Sequence, residues 1–300
     1  MEQQLDFVNL SINLDTQNYY KDQKELLEKA LDIGTNSNSD NPKLVALDYI
    51  VTSFKHNGIN IEFELVLTIP ANRSANIILP IKTVEDNFGF YVDWGNKTLT
   101  HNILEHNYLA NAEQKDYCVK FFGMNICRFG NNNFNDYKKY LTSVVSFGKL
   151  GHLFTSLSNA FNSTNNIDMP DYLPENITDI SSMFCCSIFN KNIDKWNVSN
   201  ITNMNCLFFR CGTFNQNLNN WNVSNVINME SMFSYCTTFN QNLNNWNVSN
   251  VLNMESMFSY CNTFNQNLNN WNVSNKCNIK NMFNFCSKLN NAYIIKIKLN

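Results

Sequence analysis

Residues 214–238 read FNQNLNNWNVSNVINMESMFSYCTT, and the 25 residues that follow repeat them almost unchanged. Tryptophans fall at Trp196, Trp221, Trp246 and Trp271, each 25 residues after the last. Cysteines keep the same step at Cys186, Cys211, Cys236, Cys261 and Cys286. Phenylalanines do so at Phe189, Phe214, Phe239 and Phe264, with Leu289 closing their column. Several columns in one register make the C-terminal half a tandem repeat, and that reading comes before any secondary structure.

Inside the unit, Met229, Met232, Phe233 and Cys236 stand at i, i+3, i+4 and i+7, the apolar stripe of a short helix. Asn228 is placed to cap it, with Glu230 in the first turn. Around Leu218 the text alternates, so a short strand is expected with Leu218 inward and Asn217 and Asn219 outward. Val223 and Val226 line the connection. One strand and one short helix per roughly 20–29 residues is the leucine-rich-repeat class, whose core exists only because neighbouring units stack. The expected fold class is therefore α+β: a C-terminal leucine-rich-repeat-like solenoid, preceded by a small β-sandwich-like domain and an N-terminal helical segment. Between residues 211 and 275 the only charges are Glu230 and Glu255. Stacked copies would set like charges opposite one another, which is unfavourable.

The pattern M-F-x-x-C-x-x-F-N-Q-x-L-x-x-W-N-V-S-N, read over residues 232–250 and again over 257–275, resembles the BspA-like family of leucine-rich-repeat surface proteins. Its likeness is strongest to the branch found in wall-less bacteria and some giant viruses. The resemblance covers roughly residues 175–290 and implies adhesion or protein binding. Bacterial members are usually exported.

Three segments are expected: residues 1–58, helical; 59–140, β-rich; and 145–300, the repeats with atypical capping units at both ends. Leu26, Leu27, Ala30 and Leu31 place a helix over residues 20–33, followed by a polar loop over 35–42. Ile59, Ile61, Phe63, Leu65 and Leu67 alternate with polar residues, as a half-buried strand does. Further strand-like runs cover residues 76–82, 89–94 and 117–122. Leu153, Phe154, Ala160 and Phe161 read as a degenerate first unit, and the unit at 177–200 is one residue short. At the far end, residues 293–299 read as a strand in which Lys296 takes the tryptophan column and Lys298 follows. Edge lysines discourage further stacking, so the stack is expected to close there.

Residues 91–98, YVDWGNKT, followed by His106-Asn107-Tyr108, resemble the signature of PKD-like (polycystic-kidney-disease-type) β-sandwiches, which carry a W-G-D-G turn and then H-x-Y. The match spans about seventy residues, and here Gly95 is followed by Asn96 and Lys97. The family implies a spacer or binding module.

The net charge of −3 and charged content of 16% leave no electrostatic footprint for nucleic acid or an anionic membrane surface. No run of 18 apolar residues is present, so membrane insertion is not expected. Residues 1–14 lack a basic start and an apolar stretch, so no secretory signal is read there and the expected compartment is cytoplasmic. A virion or cell-surface location would need an unconventional route. Ten cysteines in a reducing compartment stay thiols. Spaced 25 apart, their column reads as core packing before it reads as a metal ladder or a disulfide set. The tryptophan column likewise reads as core with its indole N–H bonded to a carbonyl, and only secondarily as a carbohydrate platform. Asn197, Asn222, Asn247 and Asn272 each begin an N-V-S sequon but read as turn formers. His56, His101, His106 and His152 join no cluster. With no phosphate loop and no nucleophile–base pair, the chain is read as no enzyme, without cofactor or metal.

Inward positions are committed to packing, so a partner must be read by outward residues. The candidate binding residues are Asn217, Asn242 and Asn267, with Asn219, Asn244 and Asn269 beside them. The partner expected is another protein; self-association as a structural component of an assembly such as a virus particle is the alternative.

Overall fold

The computed structural model describes residues 63–83, 90–96, 98–101, 103–123, 126–130, 137–148 and 155–290, with Lys29 and Asp32. Two compact units divide the chain, Met1–Ile61 and Glu62–Asn300. Lys29 and Asp32 are helical. The rest of the helix expected over 20–33, the loop at 35–42, Ile59, Ile61, Leu153, Phe154 and the lysine-bearing segment 293–299 lie outside the described residues.

Strands β1 (Phe63–Ile69), β4 (Phe90–Asp93), β5 (Leu99–His101), β7 (Lys115–Gly123) and β9 (Leu141–Phe147) form one antiparallel sheet in the order β5-β4-β7-β1-β9. Two ribbons accompany it: β2 (Ala75–Ile78) with β6 (Glu105–Tyr108), and β3 (Ile81–Thr83) with β8 (Ile126–Phe129). The alternation in β1 works as a strand should: Phe63, Leu65, Leu67 and Ile69 are buried. The first three sit opposite buried Phe121, Val119 and Tyr117. A single turn of helix, α1 (Tyr137–Tyr140), precedes β9.

The expected α+β class is overturned. Among the described residues of Glu62–Asn300 the regular elements are nearly all strands, with almost no helix; the sheets are open, and the repeats do not form a strand-plus-helix solenoid. No strand forms around Leu218 and no helix around Met232. The repeats are a stack of turns in which successive coils touch through single parallel bridges, Ser156↔Asp179↔Asn203↔Asn228↔Asn253↔Asn278.

Two residues per coil prevent the helix. Ser231 and Tyr235 have φ of 52° and 63°, and Ser256 and Tyr260 repeat this at 56° and 61°. A right-handed helix needs φ near −63° at every residue. The backbone amides alternate instead. Met229, Ser231, Phe233 and Tyr235 donate to Asn253, Glu255, Met257 and Ser259 of the next coil at 2.8–2.9 Å. Met232, Ser234 and Cys236 donate three residues back within their own coil at 2.9–3.2 Å. Every second N–H therefore holds the neighbour and the others hold the turn, which satisfies a buried backbone without sheet or helix.

Core positions survive the change of backbone. Met229, Met232, Phe233, Cys236 and Leu218 are all buried. Phe184, Phe208, Phe233, Phe258 and Phe283 stack coil on coil, with centroids 5.6–5.9 Å apart and planes within 14°. The sheet region abuts this column directly. Arg128 of β8 makes a parallel bridge to Ser156, Ser143 of β9 makes one to Asp168, and Phe129 meets Phe161 at 6.0 Å. Gly130, at φ +121°, lets the chain pass: a Cβ there would lie 2.2 Å from the Ser158 carbonyl oxygen.

Candidate functional site

Asparagine is first a structural residue in this stack. Asn217, Asn242 and Asn267 are exposed, but each turns its Oδ1 back to accept the N–H two residues on, from Asn219, Asn244 and Asn269, at 2.8–3.0 Å. Asn219 and Asn244 in turn accept from Asn245 and Asn270 of the next coil at 3.3 and 3.1 Å. The six predicted residues thus lie in turns, not on strands, in two stacked rows whose oxygens are mostly engaged. The sequon residues Asn197, Asn222 and Asn247 do the same for Ser199, Ser224 and Ser249. A further ladder runs through Asn190, Asn215, Asn240 and Asn265, each accepting from the coil that follows at 2.9–3.0 Å.

The tryptophan column faces inward, and so does the cysteine column from Cys211 onward; Cys186, counted in that column from its spacing, is exposed instead. Trp196, Trp221, Trp246 and Trp271 donate their indole N–H to the carbonyls of Pro170, Ile193, Leu218 and Leu243 at 2.8–3.1 Å. Cys211, Cys236, Cys261 and Cys286 donate to Phe184, Phe208, Phe233 and Phe258 at 2.8–2.9 Å. All ten cysteines are free thiols. Burial pushes Cys211 up to about 12 and Cys286 to about 11, and holds Cys236 and Cys261 well above their ordinary range.

In the sheet region Trp94 is buried and donates to Thr100 Oγ1 at 2.9 Å. Tyr108 donates its hydroxyl proton to the Trp94 carbonyl at 2.6 Å. His106 stacks on Trp94 at 5.0 Å and lies 2.9 Å from the Asn96 amide, with partial burial lowering its affinity for a proton. Three residues singled out from sequence meet here, in a packing role. Among the described residues no group of three or more His, Cys, Asp and Glu is placed to hold a metal ion.

Sequence reasoning missed one outer column. The second left-handed position of each coil is occupied in turn by Ser163, Cys186, Arg210, Tyr235, Tyr260 and Phe285. Tyr235 and Tyr260 stack at 4.3 Å and 8°, and Tyr260 and Phe285 at 4.4 Å and 23°. The Arg210 guanidinium lies 5.3 Å from the Tyr235 centroid. Phe285, 58% exposed, ends the ladder within the described residues. The signal was present as the 25-residue spacing of Tyr235, Tyr260 and Phe285, but a helical reading gave that position no special direction.

Residues 155–251 and 178–296 match a family model described as "Mycoplasma protein of unknown function, DUF285". The repeat region is therefore similar to a BspA-like repeat family. No curated protein and no solved structure matches the chain. No helix among the described residues is long and apolar enough to cross a membrane.

Proposed function

We propose that the chain is a non-catalytic protein-interaction or adhesion protein that presents stacked outer columns to a protein partner. The observation that carries this is the Arg210–Tyr235–Tyr260–Phe285 column. Its left-handed backbone position also accepts Ser163 and Cys186, so the fold itself does not require an aromatic there. Bulky residues are uncommon at positive φ. Arginine and tyrosine are the residue types that dominate binding energy at protein interfaces. The asparagine rows at Asn217, Asn242, Asn267 and Asn219, Asn244, Asn269 offer amide N–H donors on the same repeat, and such a surface binds without net charge. Trp94, His106 and Tyr108 support reading the sheet region as a PKD-like spacer that carries the stack.

The test is a pull-down from the native cell with wild-type protein and with Tyr235→Ser/Tyr260→Ser, each checked by circular dichroism. A folded double variant should lose the captured partner, with binding that varies little with salt. Capture of the same partner in equal amount would move the site off the aromatic column.

A further inference from the structure

Where later coils carry Phe209–Arg210, Ser234–Tyr235 and Ser259–Tyr260, the coil before them carries adjacent cysteines, Cys185 and Cys186. Their sulfurs lie 3.5 Å apart. Cys186 is exposed and Cys185 half-buried, so one thiol is open to solvent and the other is shielded. The peptide linking them is held from both sides. Its carbonyl, on Cys185, accepts from Ser163 N–H at 2.8 Å, and its N–H, on Cys186, donates to the Phe209 carbonyl at 2.7 Å.

That clamp decides what the pair can bind. A disulfide needs its sulfurs about 2.05 Å apart and normally joins α-carbons about 4.4–6.8 Å apart. Neighbours across a trans peptide are only about 3.8 Å apart. Closing the bond would twist the peptide and break one of the two hydrogen bonds to adjacent coils. A single thiophilic atom between the sulfurs needs no such twist. Two bonds of about 2.3 Å, as in metal–thiolate pairs, meeting at about 100° span roughly 3.5 Å between the sulfurs. No third protein ligand is required, in keeping with the described residues holding no three-residue metal cluster.

We infer that Cys185 and Cys186 form a vicinal dithiol site for trivalent arsenic of the type R–As=O. Both thiols lose their protons to the oxide oxygen, which leaves as water. Two As–S bonds replace the As=O bond, and no atom changes oxidation state.

Phenylarsine oxide added to the full chain under native conditions, followed by intact-mass measurement, tests this. One phenylarsine oxide less one water should add per chain and be removed by ethanedithiol. Cys186→Ser, at an exposed position, and Cys185→Ser should each weaken the adduct at least tenfold, whereas Cys206→Ser should not. Circular dichroism confirms that the variants are folded. No adduct on the wild type, or an undiminished adduct on folded Cys186→Ser, overturns the site. Peptide mapping after equilibration in a glutathione buffer gives a second reading that needs no variant. Free Cys185 and Cys186 support the clamped peptide, and a Cys185–Cys186 disulfide as the main product refutes it.

Discussion

Leu65 in the sheet and Phe233 in the stack are both fully buried, yet their backbones do opposite things. Around Leu65 the N–H and C=O groups run into a register that pairs it with Val119 on one side and Val144 on the other. Side-chain alternation and bond direction are one property there, because a pleated chain that buries every second residue must also bond sideways. Around Phe233 the two come apart. Burial at 229, 232, 233 and 236 has the spacing of a helix, but the amides bond alternately to the next coil and three residues back. A pattern of buried side chains identifies a backbone only where one backbone produces it. Two do here.

This contrast can be broken most sharply at Trp246. It stacks on Trp271 at 6.3 Å and bonds to the coil before it, so Trp246→Ala should cost about 3–5 kcal/mol in urea denaturation. A loss under about 1 kcal/mol would mean that coils are not held by their inward columns. Next comes the junction. Gly130→Ala puts a side chain at φ +121° against the Ser158 carbonyl and should cost about 3 kcal/mol. It should also split one calorimetric transition into two, and two transitions already present without the substitution would show that sheet and stack were never coupled.

Polar residues sharpen the contrast at smaller scale. Asn242→Ala removes the acceptor that holds the Asn244 N–H and should cost about 1 kcal/mol. Asn107→Ala, exposed on β6, should change stability by less than about 0.5 kcal/mol. Equal effects would mean that asparagine is surface filler in both regions. Last is pH. Buried Cys211, Cys236 and Cys261 ionise at higher pH folded than unfolded, so the folded chain holds more protons above pH 9. Their contribution is complete below that pH and is lost as pH rises toward their folded values. Cys236→Ala should flatten the alkaline fall measured by urea midpoints, and an unchanged slope would assign the fall to other groups.

The repeat was fully legible in the residues, and so was its inside. Columns of Trp, Cys, Phe and Met recur every 25 residues because each coil must bury the same faces against the same neighbours, and composition records that demand directly. The strand at Phe63–Ile69 was legible for a similar reason, since alternation there has one structural meaning, and strand-like runs also marked Phe90–Asp93 and Lys115–Gly123. What only the tertiary structure decided is where the backbone hydrogen bonds go. Ser231 and Tyr235 carry no mark of positive φ in their chemistry, and a neighbouring coil one repeat away supplies the acceptors that make that conformation favourable. The same neighbours turn asparagine oxygens into stack ladders and align Arg210, Tyr235, Tyr260 and Phe285 on the outside. Those contacts join residues about 25 apart, beyond the reach of any local pattern, and so they appear only once the coils are stacked.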